Sequence, residues 1–141
     1  MTKKESTLKF NREQIQRFLE EYFQAYSTIA QDPEKNYQML DYYAPNIIVY
    51  LYAGEVLETN FEDFLILSSS HPSIQETLTP EHYIIDEAQG MATVLLKGEL
   101  AKKATGEVFR EMDFSAHYQL TTDDNGARKI VQLWIFAQYV E

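Results

Sequence analysis

The 141 residues, 45% of them hydrophobic and 13% aromatic, suit one packed domain rather than two, and a chain of this length hides roughly two-thirds of its unfolded surface on folding. Twenty-two acidic against twelve basic side chains give a formal charge of −10, which opposes condensation on phosphate backbones or anionic headgroups, so neither nucleic acid nor a membrane surface is expected as a partner. The absence of cysteine excludes disulfides, thiolate nucleophiles and cysteine-ligated zinc, and no apolar run approaches the ~20 residues of a bilayer span or gives MTKKESTLKF a signal-peptide core, which makes the cytoplasm the expected location.

Residues 1–10 read as a flexible tail and 11–141 as a single domain. From Asn11, apolar residues at Ile15, Phe18, Leu19, Tyr22, Phe23, Tyr26 and Ile29 follow the three-and-four spacing of a helix with one buried face. Asn11 with Gln14 forms a capping pair, in which the Asn oxygen takes an orphan amide of the first turn. Asp32 and Pro33 open a second helix, with Tyr37, Leu40, Tyr43 and Ala44 on one side, and Pro45 ends it by disfavouring helical geometry in the residue before it. Asn46 to Tyr52 (NIIVYLY) is β-branched and aromatic, and too short for a stable helix, so it reads as a strand. Thr59 with Glu62 opens a short third helix through Phe61, Phe64 and Leu65, ending in the serines before His71 and Pro72.

The second half changes period. His82 to Glu87, Met91 to Lys103, Val108 to Thr121 and Lys129 to Val140 are strand candidates separated by AQG, ATG and DDNGA, each with the glycine a tight turn favours, and they make an antiparallel meander. Phe114, Ala116, Tyr118 and Leu120 alternate with Asp113, Ser115, His117 and Gln119, giving one face buried under helices and one wetter. In the last strand Val131, Leu133, Ile135 and Ala137 share one face, and Gln132, Trp134, Phe136 and Gln138 the other. A sheet covered on one side should be polar on the other; Trp134 and Phe136 break that rule. Either termini and neighbouring strands shield them, or they meet a partner, and a homodimer through this outer face is the expectation.

The order long helix, second helix ending in YYAPN, short strand, third helix and four meandering strands resembles the nuclear transport factor 2-like superfamily, which includes the SnoaL-like polyketide cyclases and the ketosteroid isomerases. The resemblance runs from Asn11 almost to the end and is carried by AYSTIAQDPEKNYQMLDYYAPN and DDNGARKIVQLW. It implies an α+β fold in which three N-terminal helices pack on a strongly curved antiparallel sheet, forming a cone-shaped half-barrel with an apolar pocket on its concave side. It also implies dimers formed through the outer sheet face. Isomerase-like members place a general-base aspartate near the end of the first strand, a tyrosine donor on the first helix and a second acid on the penultimate strand. Those places fall here on Leu51, on Tyr22, and on or near Tyr118. NIIVYLY holds no carboxylate in any register, which counts against ketosteroid-type proton abstraction.

His117, Ser115 and Asp113 share a strand face, but side chains two apart stand roughly 7 Å apart at the backbone and do not converge as a triad does, so a solvated or dimer-facing row is expected. His71 and His82 match no metal-ligand spacing. Glu99, Glu107, Glu111 and Asp113 could meet as paired carboxylates, or simply balance Lys97, Lys102, Lys103 and Arg110. No phosphate loop, nucleophile elbow or dinucleotide fingerprint occurs, and no cofactor or metal is expected. Tyr22 and Tyr26 on the first helix and Tyr118 on the sheet can converge, either as ligand-binding phenols or as core fillers.

The leading expectation is therefore a homodimer that binds a small apolar molecule in a pocket lined by Tyr22, Tyr26, Leu51, Tyr118 and Leu133, with any catalysis limited to electrophilic assistance by phenol hydroxyls. Two alternatives stand beside it. One is a non-catalytic interaction module; the other is a SnoaL-like isomerase or cyclase whose carboxylate is Glu99 or Asp113.

Overall fold

Asn11 caps the first helix as expected. Its side chain accepts from the Gln14 amide at 2.8 Å, and the Gln14 side chain reaches back to the Asn11 amide at 3.4 Å, which satisfies two of the orphan donors of the first turn. The helix, α1 (Arg12–Thr28), buries Ile15, Leu19, Tyr22, Phe23, Ala25 and Tyr26 along one side. The computed structural model describes residues 10–52, 56–60 and 73–139.

The second helix is not α-helical. Asp32 makes a local turn instead, its side chain accepting from the Glu34 amide and its carbonyl from the amides of Lys35 and Asn36, and the chain then winds as a 3-10 helix over Asn36–Tyr42. With three residues per turn, the inward face recurs every third position, so Met39 is buried while Tyr37 and Leu40 are 60% and 53% exposed. The α-helical phase had put those last two inside. A shorter 3-10 turn, Ile29–Gln31, links this segment to α1.

Six strands follow: β1 (Tyr43–Tyr52), β2 (Val56–Asn60), β3 (Ile74–Asp86), β4 (Met91–Lys102), β5 (Val108–Thr122) and β6 (Arg128–Tyr139), in the sheet order β2-β1-β6-β5-β4-β3. From β3 onward the chain is the expected antiparallel meander, but β1 lies parallel to β6, so the sheet is mixed rather than antiparallel. Thr59, expected to cap a third helix, lies in β2; residues 61–72, where that helix was placed, lie outside the described residues. The described helical layer is thus α1 with two 3-10 segments. Register shifts in all but the β1–β2 pairing mark bulges, each of which bends its strand, and together they curve the sheet around α1.

β3 begins eight residues before the predicted start and runs through Pro80, which the sheet tolerates because β3 is an edge strand and its register breaks there. Its outer edge is covered from the helical side. The Leu78 amide donates to Ser27 Oγ at 3.0 Å and the Glu76 amide to Gln31 Oε1 at 2.9 Å. Gln31 itself is buried and donates to the Tyr26 carbonyl.

The two faces of β5 separate as predicted: Ala116, Tyr118 and Leu120 are buried, whereas Asp113 is exposed and Ser115, His117 and Gln119 only half-buried. On β6 a bulge opposite Gln119 and Leu120 moves Ile130 rather than Val131 into the core beside Leu133. The meander turns use left-handed glycines at Gly90, Gly106 and Gly126. No helix among the described residues is long and apolar enough to cross a membrane.

Candidate functional site

The inner face of α1 meets the concave side of the sheet in a cluster of phenol rings. Tyr22 sits at its centre, edge-on to Tyr43 and Tyr118 with ring centroids 5.8 Å away in each case, and Phe23 packs against Tyr118 at 5.7 Å. The Tyr22 and Tyr43 hydroxyls share a hydrogen bond of 2.7 Å. Burial raises the pKa of Tyr22, Tyr43 and Tyr118, since removing a phenolate from water is costly. These groups stay neutral at physiological pH and can donate a hydrogen bond but not act as bases.

One turn along α1, the Tyr26 hydroxyl donates to Glu76 Oε1 at 3.0 Å. Glu76 stands on the same face of β3 as Ile74 and Leu78, a carboxylate at a position where alternation calls for an apolar residue. That alternation is the signal that finds it; the sequence reading places no strand between Pro72 and His82. Burial raises the Glu76 pKa, partly offset by the Tyr26 hydrogen bond. The sign of the resulting pH dependence follows from the folded state holding this proton more tightly than the unfolded chain. The stability it contributes is fully present below the unfolded value of about 4.5 and lost as pH rises through the higher folded value. Glu76→Gln should therefore match wild type in melting temperature at pH 4 and exceed it at pH 8. An equal difference at both pH values would show that the carboxyl is not held as described.

Of the five residues expected to line a pocket, Tyr22, Tyr118 and Leu133 lie in the core, with Leu133 directly opposite Tyr118 across the β5–β6 ladder. Tyr26 is buried and turned to Glu76. Leu51, half-buried, lies on the same face two residues beyond the buried Val49 and opposite Ile135. The structure brings the three tyrosines together and adds Tyr43 and Glu76.

The outer face carries the rest. Trp134 stacks on Tyr50 with centroids 5.8 Å apart and planes 10° from parallel, and Phe136 is 42% exposed with its ring edge-on to His117 at 5.5 Å. His117 Nδ1 pairs with Thr93 Oγ1 at 2.8 Å, while Ser115 Oγ is 3.5 Å from Nε2, too long to prime a nucleophile. Asp113 turns to Lys97 at 3.8 Å rather than to His117, so no triad forms. Glu111 shares Lys97 and Glu107 meets Lys102, exposed pairs worth about 0–1 kcal/mol each. Glu99 and Asp113 both point away from the helix-covered side. Among the described residues, no three histidine or acidic side chains gather as metal ligands.

Neither a protein-family model nor a curated protein matches the sequence. Solved structures do match in fold. A conserved protein from Planctomyces limnophilus superposes with a TM-score of 0.63 at 16% identity, over 92% of this chain and 100% of its own. Nuclear transport factor 2 from Cryptosporidium parvum gives 0.62 at 14% identity, over 93% and 99%. A ketosteroid isomerase-like protein from Erwinia carotovora atroseptica gives 0.56 at 18% identity, over 91% and 98%. The chain has the nuclear transport factor 2-like fold.

Proposed function

We propose that the chain binds a small, largely apolar molecule on the concave side of its sheet, with Tyr22, Tyr26, Leu51, Tyr118 and Leu133 forming the wall. The observation that carries this reading is the convergence of Tyr22, Tyr26 and Tyr118 between α1 and the concave side of the sheet, neutral phenol donors in an otherwise apolar wall. A few placed hydrogen-bond donors in an apolar wall are the form of a small-molecule site, and a ligand carbonyl or hydroxyl would be their acceptor. Because the phenols remain protonated, any chemistry here would be electrophilic assistance, with no base supplied by these rings. A pocket on the concave side is what the resemblance to the nuclear transport factor 2-like superfamily implies, and the fold is shared with a ketosteroid isomerase-like protein.

A thermal-shift screen against apolar ketones, phenols, sterols and polyketide-like compounds tests the reading. A ligand at about 100 times its Kd adds roughly 2.7 kcal/mol and raises Tm by several degrees. Tyr118→Phe should keep the fold and shrink that shift. A broad library that moves Tm nowhere in the wild type would sink the proposal.

A second reading has its own observation. Tyr50, Trp134, Phe136 and Leu95 make an apolar area on the outer sheet face, with Phe136 and Leu95 exposed, as a homodimer interface would require. Sedimentation should then give a dimer for the wild type and a monomer for Trp134→Glu; a monomeric wild type rules this assembly out.

A further inference from the structure

Glu76 is a carboxyl placed where the fold needs none. It sits on the concave side of the edge strand β3, between Ile74 and Leu78, in a row whose next positions across the sheet are Leu100 and Arg110. One oxygen, Oε1, accepts from Tyr26. The other, Oε2, has no hydrogen-bond partner among the described residues. Lys103, whose ammonium donates to the Gln31 carbonyl, makes no ion pair with it. β3 is already tied to the helical layer through the Glu76 amide on Gln31 and the Leu78 amide on Ser27, so the second carboxyl oxygen is not needed for that link.

The carboxyl is also held in one orientation. The Tyr26 hydroxyl fixes Oε1, and Tyr26 is in turn locked on the inner face of α1 against Tyr22, 6.4 Å between centroids. A half-buried, pre-oriented acceptor oxygen beside aromatic rings has the form of a ligand anchor: a small number of placed polar groups in an apolar wall sets which molecules are taken. Resting on the ligand-binding reading above, we propose that Glu76 Oε2 is the polar anchor of the site and that the ligand is a neutral apolar molecule carrying a hydroxyl, which donates to it. A carboxylate at this position also rejects apolar acids by like-charge repulsion. Tyr26 acts as the positioning residue. Tyr118, a donor, addresses a ligand acceptor instead, so the two groups read different ends of the molecule.

A matched pair of probes tests this. 2-Naphthol and 2-methoxynaphthalene have the same rings, but only the first can donate. Hydrogen bonds to charged groups are worth enough that calorimetry on the wild-type protein should show 2-naphthol binding about tenfold or more tighter than the ether. In Glu76→Met the ether should bind as before, and the preference should fall to about twofold or less; Tyr118→Phe should leave the preference in place. If the preference survives Glu76→Met, this inference is wrong while the ligand-binding reading stands. If neither probe binds the wild type, this inference fails, and the ligand-binding reading is decided by the broad thermal-shift screen. Should Glu76→Met not fold, the Glu76 carboxyl 13C resonance of the wild type gives the answer directly: it must shift on adding 2-naphthol and not on adding the ether, and equal responses would overturn the assignment.

Discussion

Gly98→Val should lower the melting temperature by roughly 10 °C, the counterpart of about 3 kcal/mol in a domain of this size. Gly98 is buried in the middle of β4, and the ring of Phe114 on β5 lies directly over it. Any Cβ built at Gly98 collides with Phe114 Cε2, with Cδ2 only 3.2 Å away. This glycine is needed for space, not for a turn, since its backbone is extended. The ring has little room to yield, because Leu96 and Met112 are buried beside it. Phe114→Leu should restore much of the lost stability in the valine background while being mildly destabilising alone. A valine variant that melts with the wild type, or a leucine that rescues nothing, would mean that the ring is not seated on Gly98.

The second large effect is expected at Phe23. Its ring is buried and stands edge-on between Tyr22 and Tyr118, at 5.4 and 5.7 Å, so it joins the helix to the middle of the sheet. Phe23→Ala should cost about 3–5 kcal/mol, from lost transfer free energy together with the cavity left among rings that can only partly close over it. Against a typical total of about 5–15 kcal/mol, that loss is enough to leave the protein close to unfolding at physiological temperature. Urea denaturation followed by tryptophan fluorescence measures it, because Trp134 lies in the sheet and reports global unfolding. A loss below about 1 kcal/mol would show that α1 does not pack on the sheet through this residue.

What the sequence disclosed was mostly local. The Asn11 cap, the buried stripe of α1, the alternation of β5 and the glycine turns depend on residues within a few positions of each other, and all are present. The failures have physical causes. A 3-10 helix repeats at three residues, so a 3.6-residue phase turned Tyr37 and Leu40 inward when they face out. One bulge exchanged Val131 for Ile130, since a single extra residue reverses the side to which the following side chains point. The parallel pairing of β1 with β6 joins segments about eighty residues apart, and no turn chemistry records it. In the site, the meeting of Tyr22, Tyr26 and Tyr118 was legible from helix phase and strand parity. Tyr43 was assigned to a helix face and Glu76 lay outside the predicted strands, and each became visible only once β1 and β3 began earlier than their composition suggested.

The cover that Ser27 and Gln31 lay over β3 bears on how the protein behaves when crowded. An edge strand is a template on which another chain can lengthen the sheet, and repeated addition of that kind is the route to fibrils. At three successive outward positions of β3 that route is closed. The amides of Glu76 and Leu78 are already engaged by Gln31 and Ser27, and Pro80 has no amide to offer. A foreign strand arriving there would find no donors in register. The same two side chains that tie the helix to the sheet therefore also keep one copy of this sheet from growing onto the next.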